Sequence, residues 1–223
     1  MARRSYDQYC PIAEAMDLLG ERWTLLVLRE LLGGARRYSD LREALPGIAT
    51  NLLASRLRRL VADGLAEQVN VPPPVARTWY QLTELGWRSV PPVLQALAIV
   101  GMEHLGPAPE QTAPLSGFLA VLLGFDGRQA RSADADYRVV VDGRRFDIGV
   151  RHGQLTAARG EPVAELRGNA RDLVEHRRAL LGGAGTEPTS RFRIAGSARA
   201  RARFIAIFGL EHQMSPTPKR LAP

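Results

Sequence analysis

The chain has 223 residues, 45 % of them hydrophobic, which at roughly 150 residues per domain fits one large or two small folded domains and excludes a disordered or fibrous chain. No apolar run approaches the ~20 residues of a membrane helix, and Asp7, Glu14, Asp17 and Glu21 interrupt any signal-peptide core behind Arg3 and Arg4, so a soluble cytoplasmic protein without membrane insertion is expected. The formal charge of +7 suggests a polyanionic partner, but 12 basic residues face 11 acidic ones up to position 105 and 18 face 12 beyond it, so charge alone does not locate a DNA-binding domain.

Helical spacing of Ile12, Ala13, Met16 and Leu19 predicts a first helix from Pro11 that ends at Gly20. A second, residues 23–32, is apolar on most faces and stops at Gly33 and Gly34, as expected of the buried centre of a domain. A third is expected to start at Ser39 as N-cap and to stop at Pro46 and Gly47. The fourth runs from Thr50 to about Asp63, with Gly64 as its stop. The period then drops to about 2, so residues 66–71 and 78–82 read as two strands joined through Pro72, Pro73 and Pro74. Thr83 and Glu84 open a last helix, bent or restarted at Pro91 and Pro92, with an apolar stripe of Val93, Leu94, Leu97 and Val100.

Residues 106–114 have the composition of a linker. Beyond them a helix over 115–124 leads into strands at 137–141, 146–150 and 155–158 with tight turns at Asp142–Gly143 and His152–Gly153. A fourth strand at 163–166, a helix capped by Asn169, a fifth strand at 191–194 and a helix over 198–210 complete the pattern, with a Gly-rich loop at 181–190 and a frayed tail at 214–223. The expected class is α+β: a winged helix-turn-helix domain (1–106), a linker (107–114) and an α/β sandwich-like domain (115–223) with a five-stranded, mostly antiparallel sheet.

Helix, helix, strand pair is the winged helix-turn-helix order, in which the second helix of the turn enters the major groove. Stepping about 100° per residue from Thr50 puts Leu53, Leu57, Leu60 and Val61 on one side and Asn51, Ser55, Arg58 and Arg59 on the other, with Arg56 at the flank. The outer set supplies an amide suited to adenine, guanidinium forks suited to guanine and a hydroxyl. Arg36, Arg37, Tyr38 and Ser39 sit where the preceding helix would meet phosphates, and Arg77 lies on the wing. A plain solvated basic face is the competing reading, and the wing together with the Pro46–Gly47 turn weighs against it.

On these residues a family resemblance rests. Cys10-Pro11-Ile12-Ala13, the run from Gly20 through Arg22, Trp23 and Arg29 to Leu31, Arg37-Tyr38-Ser39-Asp40-Leu41, Leu45-Pro46-Gly47-Ile48, Asn51 through Leu60, and Tyr80 through Gly86 resemble the HxlR-type transcriptional regulators over about residues 9–100. The resemblance implies a homodimer on a two-fold related, palindromic operator, read by the helix holding Asn51 to Leu60. A dimer also follows physically, since one winged helix makes few base contacts and two recognition helices about 34–36 Å apart double the interface. The Val93, Leu94, Leu97, Val100 stripe with Ile12 and Met16 is the candidate contact, packing within the chain being the alternative.

Cys10 is the single cysteine, so no internal disulfide is available, and His104, His152, His176 and His212 lack metal-ligand spacing; no metal or cofactor is expected. Its place before a helix favours thiolate chemistry, and the resemblance implies redox sensing at this position in several family members. A structural thiol is the other reading.

Residues 137–146, 165–169, 173–180, 192–197 and Phe204, Ile205 and Phe208 look like the sterol carrier protein type 2 fold, which implies a sheet covered by helices around an apolar tunnel. An effector domain binding a small apolar or lipid-like molecule is then expected, lined by Leu119, Leu122, Val139, Val141, Phe146, Ile148, Leu173, Phe204 and Phe208; plain core positions are the alternative for each. Arg191, Arg193, Arg199, Arg201 and Arg203 form a basic cluster without an acidic residue among them, read either as solvated charge or as a site for phosphate or carboxylate. The leading function is a DNA-binding transcriptional regulator, expected to repress; a lipid carrier with a winged contact domain is the alternative. No nucleophile and base arrangement or phosphate loop argues for an enzyme.

Overall fold

The computed structural model describes residues 5–71, 77–182 and 191–210, with the backbone alone at positions 71 and 77. The expected turn through residues 72–74, most of the 181–190 loop and the 214–223 tail lie outside these residues. The first half holds α1 (Pro11–Leu19), α2 (Thr24–Leu32), β1 (Arg36–Arg37), α3 (Tyr38–Ala44), α4 (Thr50–Ala62), β2 (Ala66–Val71), β3 (Arg77–Leu82) and α5 (Glu84–Met102). The second holds α6 (Pro114–Leu122), β4 (Asp134–Val141), β5 (Arg144–Arg151), β6 (Gln154–Ala157), β7 (Ala164–Gly168), α7 (Ala170–Leu180), β8 (Arg193–Gly196) and α8 (Ala198–Ile207).

In the first half β1, β3 and β2 form a small antiparallel sheet in that order. β1 was not expected, because two consecutive arginines carry no alternating pattern; it forms by pairing Arg36 with Tyr80 and Arg37 with Trp79. Trp23 does not start α2 but caps it with φ of 78°, a left-handed conformation uncommon outside glycine. The α3 cap is Arg37 rather than Ser39: the Asp40 carboxylate accepts the Arg37 N–H at 3.1 Å, and Ser39 lies inside the helix. Pro91 and Pro92 do not restart α5, which runs through both.

The second half is one five-stranded sheet in the order β6-β5-β4-β7-β8. All its pairs are antiparallel except β4 with β7. Tyr137, Val139 and Val141 project from β4 toward the helices, where Phe118 stacks on Phe146 at 4.5 Å and Tyr137 meets the ring of Phe204 edge-on at 5.3 Å. The turn between β4 and β5 uses Asp142 at φ 48° and Gly143 at φ 79°, the twist that two-residue hairpins require.

The halves pack on one another through a continuous apolar core. A side chain at Gly33, just past α2, would meet Leu115 of α6 at 2.8 Å and Phe146 of β5 at 3.4 Å, so the glycine permits close approach. The Gln95 amide of α5 donates to the Leu122 carbonyl at 2.8 Å. The connecting segment is anchored as well: Ala108 is buried and its N–H donates to the Glu175 carboxylate at 2.5 Å.

Candidate nucleic-acid interface

α4 is held from beneath by Leu53, Leu57 and Leu60, all buried. Val61, expected on that inner side, is exposed, because it lies at the last turn, past the reach of the core. Asn51, Thr50 and Arg58 are exposed on the free side, whereas Ser55 and Arg59 are half-buried. Arg59 lies 3.6 Å from Asp63 one turn on. α3 and α4 are joined at their N-terminal ends by the Tyr38 hydroxyl, which donates to the Thr50 carbonyl at 2.7 Å. That bond places Ser39, exposed on the first turn of α3, beside the start of α4.

The remaining expected contacts have partners within the chain. The Arg56 guanidinium donates to the Glu21 carboxylate at 2.8 Å and to the Arg22 carbonyl at 3.2 Å; its side chain is 13 % exposed. It therefore ties α4 to the turn between α1 and α2. Arg36 points to the buried Glu30 at 3.5 Å, an acid already held by Arg29 at 2.8 Å. The Arg37 guanidinium lies over the Trp79 ring at 4.5 Å, joining β1 to the wing strand. For Arg77 only the backbone in β3 is described, at the base of the wing.

α1, α2, α5 and α6 enclose an open apolar groove of about 1350 Å³. Ile12, Met16, Leu26 and Leu97 line it and are exposed, and the Val100 side chain continues the α5 surface at 59 % exposure. Cys10 sits at the N-cap of α1, half-buried, with no side-chain capping bond.

Of the residues expected to line an effector cavity, Val139, Val141, Phe146, Ile148, Leu173, Phe204 and Phe208 are buried in mutual contact within the core. Leu122, buried in the same core, and Leu119, half-buried against it, also reach the groove between the halves. The expected contact residues Ile12, Met16, Val93, Leu94 and Leu97 line this groove, whereas the share of α2 and α6 in it carried no signal in the sequence, since their apolar faces read as core. Among the described residues no cluster of His, Cys, Asp and Glu fits a metal, and no helix is long and apolar enough to cross a membrane.

Residues 18–109 match the model of the HxlR-like helix-turn-helix family. The chain is 43 % identical over 96 residues to the HTH-type transcriptional regulator sll1512 of Synechocystis, covering 43 % of this chain and 70 % of that protein. It is 31 % identical over 102 residues to the HTH-type transcriptional regulator YvaP of Bacillus subtilis, covering 45 % and 94 %. Among solved structures, the reduced form of the B. subtilis transcriptional regulator YodB is similar at 30 % identity, covering 46 % of this chain and 100 % of that one with a TM-score of 0.39.

Proposed function

The chain belongs to the HxlR-like helix-turn-helix family through residues 18–109, and on that premise we propose that it is a homodimeric repressor that reads a palindromic operator through α4. The observation that carries this reading is the division of α4 into a buried leucine side and a free side bearing Thr50, Asn51 and Arg58. Asn51 and Arg58 are the base-reading pair, able to address adenine and guanine edges. Ser39 and Arg37 meet phosphate at the start of α3. Ser55 and Arg59 complete the surface, and Arg36 and Arg56 hold its geometry from behind through Glu30 and Glu21.

The partner copy covers the groove and the exposed apolar residues of α1 and α5. Ile12 at 74 % and Leu97 at 48 % exposure form the kind of contiguous apolar patch that marks an interaction site. An apolar effector acts at the same groove through Leu119 and Leu122, and by favouring one dimer arrangement it shifts operator affinity by that difference alone.

Selection of bound sequences from a random duplex pool tests the base-reading role. Asn51→Ala and Arg58→Ala should each relax preference at one position per half-site by about 1–3 kcal/mol. Unchanged preference in both folded variants would remove α4 as the reading element.

A further inference from the structure

The register of the second sheet arranges charge in a way that the linear sequence conceals. Side chains directly opposite each other on paired strands share a face. Arg145 of β5 is opposite Val140 of β4, Val140 is opposite Arg167 of β7, and Arg167 is opposite Arg193 of β8. Three arginines therefore lie in one row across four strands, on the side opposite the helix-facing Val139, Phe146 and Leu166. At about 4.8 Å per strand the row spans roughly 14 Å.

Arg145, Arg167 and Arg193 are all exposed. Glu165, on the same strand and face, pairs with Arg167, which leaves Arg145 and Arg193 without a carboxylate in the row. The next row inward carries two acids and one arginine instead: Asp147 holds Arg138 at 2.6 Å, with Glu165 on its other side. Like charges directly opposite one another destabilise a sheet, so the Arg167 and Arg193 pair works against folding in the isolated chain. Val140 in the middle of the row is only 5 % exposed, as expected where arginine stems lie along an apolar residue and present their heads to solvent.

The row begins beside the winged half. Arg144, the neighbour of Arg145, stacks over Phe146 at 4.8 Å. Burial and then the nearby Arg36 lower its pKa, opposed by Glu30 and Asp40. The β4–β5 hairpin thus lies near β1 and the start of α3, the elements assigned above to the DNA backbone: Arg144 feels the charges of Arg36 and Asp40, and a side chain at Gly33 would meet Phe146 at 3.4 Å.

We propose that the Arg145, Arg167 and Arg193 row is a second DNA-binding surface that holds the phosphate backbone of duplex flanking the operator. It rests on the reading of α4 given above. Each phosphate neutralised releases counterions and adds about −0.9 to the slope of log K against log salt.

The test uses the full-length protein, its own upstream DNA trimmed to the footprint of the winged domains, and the same duplex extended on both sides. The wild-type slope should be steeper on the extended duplex. Arg145→Ala/Arg167→Ala/Arg193→Ala should remove that difference, about 0.9 for each lost contact, and leave the slope on the trimmed duplex unchanged. The corresponding Lys triple variant should restore it. Without DNA a cooperative melt checks that the Ala variant is folded, the relieved Arg167 and Arg193 repulsion being set against the lost Arg167–Glu165 pair. Equal wild-type slopes on both duplexes, or a difference that survives in a folded Ala variant, overturn the proposal while the α4 reading stands. Absence of wild-type binding to either duplex overturns the α4 reading itself. Binding to anionic phospholipid vesicles that the Ala variant loses, with no change in either DNA slope, assigns the row to a membrane surface and also overturns the proposal.

Discussion

At Tyr137 the ring is wholly buried among Phe204 and Phe208, yet its hydroxyl has no hydrogen-bond partner. Burial raises its pKa, against weaker opposing fields from Arg203 and Arg151, so the group stays neutral. An unsatisfied buried hydroxyl costs about 1–3 kcal/mol. Tyr137→Phe should therefore raise the thermal midpoint, by about 2–4 °C per kcal/mol for a chain of this size; a lower midpoint would show that the hydroxyl is bonded. Arg56 illustrates the opposite case. Arg56→Ala should lower stability by about 1 kcal/mol, the size of a well-ordered ion pair, without altering which bases are preferred; changed base preference would return Arg56 to the reading surface. In the sequence Arg56, Arg58 and Arg59 look alike, since helical angle alone separates them. Only the distant Glu21 distinguishes the tethered arginine from the free one, and a pairing across 35 positions leaves no local signal.

Among the elements, α6, α7 and α8 are joined by one buried cation. Arg177 donates to the carbonyls of Ala120 at 2.8 Å, Gly209 at 3.0 Å and Phe208 at 2.6 Å. These carbonyls lie near the C-terminal ends of α6 and α8, where free acceptors and the negative end of the helix dipole favour a cation. Burial lowers its pKa to about 10, so it remains charged at neutral pH. Arg177→Ala should destabilise the protein by about 3–5 kcal/mol, the cost of leaving buried polar groups unpaired; a midpoint shift under 1 M in urea would contradict that role at a typical m of about 1–3 kcal/mol/M. Close approach sets a second constraint. A side chain at Gly86 would fall 2.1 Å from the Leu65 carbonyl oxygen, so Gly86→Ala should displace α5 from the wing and cost about 1–3 kcal/mol. Helix and strand order was legible because the hydrophobic period changes from 3.6 to 2 at β2. The two-residue β1, the positive φ at Trp23 and the continuation of α5 through Pro91 and Pro92 were not, because each depends on tertiary partners rather than on period.

For the whole molecule, the two halves joined by residues 106–114 are in packed contact. The buried Ala108, the Gly33 approach and the Gln95 bond bind the second sheet to the winged half. The buried and outer sides of α4 and the apolar stripes of α1 and α5 were readable because one helix carries each, whereas the closure of the groove by α6 and the arginine row needed the topology. On the proposed reading, function at this scale turns on dimerisation. Leu97→Glu should give a monomer in sedimentation and lose at least tenfold in operator affinity, since a dimer doubles the contact area with DNA. A dimer with unchanged affinity would move the interface elsewhere.

The most direct test of the central claim is titration of the full-length protein against its own upstream duplex and a scrambled duplex of equal length, at several salt concentrations. An operator reader should bind the upstream duplex at least 10³-fold more tightly, the lower end of the usual specific range, and both affinities should fall steeply with salt. Equal affinity for both duplexes across several candidate upstream regions, with a shallow salt slope, would contradict sequence-specific reading by α4.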